Sequence, residues 1–314
     1  MSITVRNLTK VYGEQKAIDD LSFDVKTGEI LGFLGPNGAG KTTTMKIITC
    51  YLPPTAGTVE VDGLNNADHS LEVRRKIGYL PEMNPLYFDM NVLEYLEYSA
   101  RLHGLRGDRM QHRITEMTHV CGLEDVRHKD IGELSKGYRQ RVGLAQAMIH
   151  EPDVLIMDEP TSGLDPNQIV EIRNLIKQLG RAKTVVLSTH ILSEVQATCN
   201  RVLIINEGKI VADGSPEQLQ AEFRGAESVT LEIRTPSLDP VNQILPKLRS
   251  IPGVTQASLA SGNGGTARFE LHADKGVDLR EPTFRLAVGE GWVILELHRK
   301  TTSLEDVFHK LTTS

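Results

Sequence analysis

Ile30-Leu31-Gly32-Phe33-Leu34-Gly35-Pro36-Asn37-Gly38-Ala39-Gly40-Lys41-Thr42-Thr43 is the stretch from which the rest of the chain can be ordered. Its first five residues form an apolar run with the length of a buried strand, and Thr44-Met45-Lys46-Ile47-Ile48 beyond it continues as a helix. Between them the glycines let successive backbone N–H groups turn inward around a phosphate, with no Cβ in the way, at the positive end of a helix. Lys41 is placed to reach the β- and γ-phosphates of a nucleotide. The Thr42 hydroxyl is placed to ligate a magnesium ion bridging them.

Such a loop serves GTPases, kinases, helicases and transport ATPases alike, so a second element has to decide among them. Val154-Leu155-Ile156-Met157-Asp158-Glu159 is that element. Four apolar residues make a buried parallel-sheet strand, whose carboxyl end delivers two acids where open α/β sheets place their ligands. Asp158 suits a magnesium shell; Glu159, pointing to the other side, suits polarising an attacking water as general base. Upstream, Ile3-Thr4-Val5 and Leu21-Ser22-Phe23-Asp24-Val25 read as strands, and downstream so does Thr184-Val185-Val186-Leu187-Ser188-Thr189, which runs into His190. Leu134-Ser135-Lys136-Gly137-Tyr138-Arg139-Gln140-Arg141 reads as a helix start: Ser135 is a good N-cap, and the helix continues through Met148.

Taken in order, these motifs resemble those of the ATP-binding cassette family across about residues 2–220. The resemblance implies that Gly35, Pro36, Asn37, Gly38, Ala39, Gly40, Lys41, Thr42 and Thr43 cradle ATP, and that Tyr12 stacks on its adenine. It implies that Thr42, Glu82 and Asp158 hold Mg2+, and that Glu159 and His190 are catalytic. Leu134–Arg141 matches the family signature, with Ser135 and Gly137 contacting the γ-phosphate held by a second cassette. Ser162 to Asp165 matches the loop that follows the catalytic acid. The expected assembly is a head-to-tail homodimer around two ATP, driving integral membrane transporter subunits. Two departures stand out: Glu82 replaces the glutamine common after this strand, and Lys136 and Tyr138 replace the commonest glycine and glutamine of the signature. Leu80-Pro81-Glu82 together with Leu-Ser-Lys-Gly-Tyr resembles ATPases of the ABC-2 export type, including those of gliding motility and of drug or polysaccharide export.

The fold expected is α/β: a P-loop NTPase cassette at residues 1–224, with a RecA-like core, an antiparallel β subdomain and a helical subdomain at about 84–150. Within that subdomain Leu93, Leu96, Tyr98 and Leu102 are spaced for an amphipathic stretch, and Met83 to Phe88 form an exposed rim for the membrane partner. Pro216 opens a short helix to about Phe223, and Gly225 marks a boundary. Residues 225–314 then read β-α-β-β-α-β, a small C-terminal α+β ferredoxin-like domain with Ser261-Gly262-Asn263-Gly264-Gly265 as its hairpin turn and a last helix from Ser303. That accessory domain carries no catalytic constellation and reads as a regulatory or dimer-contact module.

Composition narrows the class further. The 314 residues carry 24% charged side chains at a formal net charge of -6, with Lys and Arg interleaved among Asp and Glu rather than massed, so no nucleic-acid partner is expected. A start of Met1-Ser2-Ile3-Thr4-Val5-Arg6 lacks the features of a signal peptide, and no run approaches the roughly 18 apolar residues of a membrane helix. A cytoplasmic chain, peripheral on the inner face of the cell membrane through its membrane subunits, is therefore expected. Cys50, Cys121 and Cys199 lack the spacing of a disulfide framework or a zinc site. The alternative is a cassette ATPase acting on nucleic acid or ribosomes; such proteins carry a long coiled coil or two cassettes, and this chain has one cassette and no sustained heptads.

Overall fold

The computed structural model describes residues 2–222, 227–234, 240–263, 265–274, 277–300 and 304–312. The chain divides into two compact units, Met1–Glu217 with Phe308–Ser314, and Gln218–Val307. The expected boundary at Gly225 lies outside the described residues, as do Phe223 and Ser303.

In the first unit, β1 (Ile3–Tyr12), β2 (Gln15–Val25), β3 (Ile30–Leu34), α1 (Lys41–Ile48), β4 (Ala56–Val61), β5 (Leu64–Asn65), α2 (Ser70–Lys76) and β6 (Ile77–Leu80) come first. Two helices, α3 (Val92–Leu102) and α4 (Gly107–Val120), precede α5 (Lys136–Met148). Then β7 (Val154–Asp158), α6 (Pro166–Leu179), β8 (Thr184–Thr189), α7 (Leu192–Thr198), β9 (Arg201–Asn206) and β10 (Lys209–Gly214) follow, and α8 (Pro216–Glu222) spans the division at Glu217.

These strands make two sheets. One is antiparallel, ordered β2-β1-β4-β5; the other is ordered β10-β9-β3-β8-β7-β6, parallel from β9 to β6 with β10 antiparallel at its edge. β3 and β7 are buried along their whole length, as apolar runs in a doubly covered parallel sheet must be. The two sheets share one core, in which Phe23 of β2 meets Phe33 of β3 edge to face at 5.1 Å between ring centroids. This packing fixes the carboxyl ends of β3, β7 and β8 side by side.

The helical subdomain corrects one expectation. Residues 81–91 are not helical, and the buried stripe of α3 is Val92, Tyr95, Leu96, Ser99 and Ala100. Tyr98 and Leu102 are 37% and 70% exposed. At 100° per residue the stripe spaced i, i+3/4, i+7/8 starts from Val92, and Tyr98 falls on the neighbouring face, where it packs edge-on against Tyr87. Asn91 caps the helix in a reciprocal capping box with Glu94.

The second unit runs β11 (Glu227–Arg234), α9 (Pro240–Gln243), α10 (Leu245–Arg249), β12 (Val254–Asn263), β13 (Thr266–Ala273), α11 (Arg280–Gly289) and β14 (Val293–Lys300), ahead of a last helix α12 (Leu304–Thr312). Its sheet is antiparallel and ordered β12-β13-β11-β14, the ferredoxin-like arrangement. Asn263 pairs directly with Thr266, so Ser261 and Gly262 belong to the strand rather than to the turn. Its own core centres on Leu231, Leu248, Phe269 and Leu271.

Candidate nucleotide site

The glycine loop leaves β3 under close confinement. A Cβ at Gly35 would lie 2.3 Å from the Ile205 carbonyl oxygen, and one at Gly40, whose φ is +106°, 2.5 Å from that of Ala17. Both positions are closed to any larger residue. The loop is clamped by the Gly208 N–H, which donates to the Ala39 carbonyl at 3.1 Å. Helix α1 starts with Gly40 as its N-cap, with no side-chain cap and no acid in its first turn, so its end is open to an anion. Lys41 is 6% exposed and folds back along the loop, its Nζ donating to the carbonyls of Gly35 at 2.8 Å and Pro36 at 3.2 Å. The same ammonium lies 3.6 Å from Glu159 Oε1.

Glu159 follows directly on β7, and the backbone turns there through φ +49°. Its amide is held by β8, donating to the carbonyl of Ser188 at 3.2 Å and to the Ser188 hydroxyl at 3.0 Å. That hydroxyl in turn donates to Asp158, which is 1% exposed. One serine thus fixes both acids. The second Glu159 oxygen, Oε2, lies 2.8 Å from His190 Nδ1. His190 is held by its neighbours: the Ile191 N–H donates to Thr189 Oγ1 at 3.0 Å, and that hydroxyl donates to buried Glu194 at 2.9 Å. Lys41 and His190 therefore each approach a different oxygen of one carboxylate, an arrangement that can orient a general base.

These groups border one cleft of about 440 Å³, lined by Ala17, residues 37–43, Glu82, Glu159, Ser162 and His190. The structure thus brings Asn37 to Thr43, Glu82, Glu159 and His190 together, with Gly35 and Pro36 behind them as acceptors for Lys41. Asp158 is buried at the end of β7, outside this lining. Tyr12, at the end of β1, is 48% exposed, carries the Lys10 ammonium 5.2 Å over its ring and does not line the cleft. Thr42, Glu82 and Asp158 offer hard oxygen donors, and among the described residues no group of three His, Cys, Asp or Glu side chains could hold a metal. That donor set fits magnesium, which takes one or two carboxylates and shares the phosphates of its nucleotide rather than filling a protein cage. Sequence reasoning gave no role to Ala17, which only tertiary packing brings to the cleft, or to Ser188, whose alternation partner His190 marked the strand end but not the hydrogen bonds.

Ser135, Gly137 and Asp165 lie apart from that cleft. Ser135 caps α5, its Oγ accepting from the Tyr138 N–H at 3.4 Å. Asp165 caps α6, Oδ1 accepting from the Asn167 and Gln168 N–H groups at 3.0 Å each. Gly137 and Asp165 line a second depression with Gly122, Tyr138, Arg141, Asn167, Gln168 and Glu171, and no residue lines both.

Residues 18–162 match the ABC transporter family. The ABC transporter ATP-binding protein YxlF of Bacillus subtilis (strain 168) is 34% identical over 98% of this chain and 99% of its own length. The Nod factor export ATP-binding protein I of Cupriavidus metallidurans is 34% identical over 99% of the chain and 97% of its length, and the bacitracin transport ATP-binding protein BcrA of Bacillus licheniformis 40% over 67% and 69%. Among solved structures, an ATP-binding subunit of an ABC transporter superposes with a TM-score of 0.65 at 30% identity, covering 71% of this chain and 93% of that one. A dimeric ATP-binding cassette in a post-hydrolysis state bound to ADP and Pi gives 0.62 at 28% identity, covering 68% and 98%. With a glycine loop, Glu82, Glu159 and His190 bordering one cleft and full-length relatives of this kind, the chain belongs to the ATP-binding subunits of ABC transporters, on the export-type branch, and is an ATPase.

Proposed function

We propose that two copies of the chain close head to tail around two Mg-ATP, each site completed by Ser135 and Gly137 of the other copy, and that closure drives export through separate polytopic membrane subunits. The observation that carries this reading is the separation of the two surfaces: cleft and signature depression share no lining residue. In this reading the cleft of one copy takes its second wall from the signature surface of the other. The dimeric cassette among the similar structures supports the same arrangement.

In this reading Tyr12 stacks on adenine and residues 35–43 wrap the phosphates, while Lys41 swings its ammonium from the loop carbonyls to the β- and γ-phosphates. Glu159 then takes a proton from the attacking water while His190 fixes its carboxylate. Magnesium, held by Thr42, Glu82 and Asp158, would supply charge neutralisation at the phosphates. Asp165, besides capping α6, faces the nucleotide of the other copy. Among the described residues no helix is long and apolar enough to cross a membrane; in this reading the membrane path belongs to other chains, and this one sits on the inner face. Met83, Tyr87 and Phe88, 88%, 50% and 51% exposed, form the rim that would meet them.

The test is sedimentation of purified Glu159→Gln protein with and without Mg-ATP. A nucleotide-dependent dimer, abolished by adding Ser135→Arg, is the expected outcome. A chain that binds ATP and stays monomeric at every concentration would overturn the head-to-tail site.

A further inference from the structure

The signature segment and the loop after Glu159 meet through two reciprocal contacts. A Cβ at Gly163, whose φ is +68°, would lie 2.2 Å from Lys136 Nζ; one at Gly137 would lie 2.6 to 2.9 Å from the Gln168 side-chain amide. Each glycine thus makes room for the side chain of the opposite element. Lys136 is the first residue of α5, next to its cap Ser135, and Gln168 is in the first turn of α6. The segment they grip begins at Ser162, which lines the ATP cleft and whose N–H donates to the Glu159 carbonyl at 3.0 Å. A short rigid path therefore runs from Ser135 to Glu159 inside one chain.

We propose that Lys136 and Gln168, seated over Gly163 and Gly137, are positioning residues that transmit the engagement of Ser135 with one nucleotide to Glu159 at the chain's other nucleotide site. This rests on the head-to-tail reading, since only there do Ser135 and Glu159 of one chain serve different ATP molecules. Lys136 stands where glycine is commonest in the family, and a glycine there could not reach Gly163. Interlocked side chains suit such a role because packed contacts shift as units rather than deform.

The experiment is steady-state hydrolysis by the full chain across Mg-ATP concentrations, for the parent, Lys136→Ala, Gln168→Ala and Lys136→Arg. The parent is expected to show a Hill coefficient above 1. Lys136→Ala and Gln168→Ala bring it to about 1 and raise half-saturation at least about fivefold, the low end of typical coupling, while Lys136→Arg, still long and cationic, retains cooperativity. ATP binding to the monomeric Ser135→Arg background stays unchanged by Lys136→Ala, which a general structural role would not predict. An unchanged Hill coefficient in both alanine variants overturns the link, as does a parent coefficient of 1 at protein concentrations where Glu159→Gln dimerises. Failure of Glu159→Gln to dimerise at all overturns the composite site, and the link with it.

Discussion

Glu159 occupies a left-handed backbone conformation that costs a non-glycine residue on the order of 1 kcal/mol or more. The structure holds it there through Ser188, whose carbonyl and hydroxyl both accept from the Glu159 N–H while the hydroxyl also donates to Asp158. Ser188→Ala keeps the carbonyl but leaves a fully buried Asp158 oxygen without its donor, a loss of about 1–3 kcal/mol. The expected outcome is a fall in kcat of about tenfold or more with ATP affinity nearly unchanged, because Lys41 and the loop amides are untouched. Paired hydrolysis and equilibrium nucleotide-binding measurements check it; a weakening of ATP binding equal to the loss of kcat would place Ser188 in the phosphate cradle instead.

Among the elements, those whose cause is local were legible. β3 and β8 fall on Ile30–Leu34 and Thr184–Thr189, and α5 runs from its Ser135 cap to Met148, because burial, turn chemistry and capping write themselves into neighbouring residues. The glycine loop, both acids and His190 were read the same way. The path through Lys136 and Gly163 was not, since it depends on residues far apart in sequence, and the buried face of α3 was misjudged because Leu102 and Tyr98 are apolar without being inside. Another contact of this kind joins elements at a distance: His103, at the end of α3, stacks in parallel on His150 beyond α5, with ring centroids 3.9 Å apart. Burial, then the neighbouring His103, push the His150 pKa down from 6.5 to about 4, with Lys183 and Arg113 adding to the effect and the hydrogen bond to the Ile77 carbonyl opposing it. The unfolded chain thus binds a proton at this position between pH 6.5 and 4 that the folded chain does not, so stability falls as pH drops through that window. The expected loss is about 2 kcal/mol between pH 7 and pH 5. His150→Gln, which can still donate to the Ile77 carbonyl, should flatten the pH dependence of the thermal midpoint; an equal slope in both proteins would move the titration elsewhere.

At the scale of the whole molecule the decisive fact is that, among the described residues, each of the two units has a hydrophobic core of its own. One lies between the two sheets of the nucleotide-binding unit and the other behind the ferredoxin-like sheet, around Leu231, Leu248 and Phe269. The candidate nucleotide cleft belongs to the first: every residue lining it falls within Met1–Glu217. A ligand stabilises only the cooperative unit that binds it, by about 2.7 kcal/mol at a hundredfold excess over Kd, which for a unit of this size is roughly a 5–10 °C rise in midpoint. Calorimetry of the Glu159→Gln protein should therefore show two transitions, of which Mg-ATP raises one. Phe269→Ala, which empties the centre of the second core at a cost of about 3–5 kcal/mol, should lower the other and leave the nucleotide-sensitive transition in place. A single transition moved by both perturbations would mean that the two cores melt as one, and that binding at the glycine loop is felt through the whole chain rather than stopping at the boundary of its own unit.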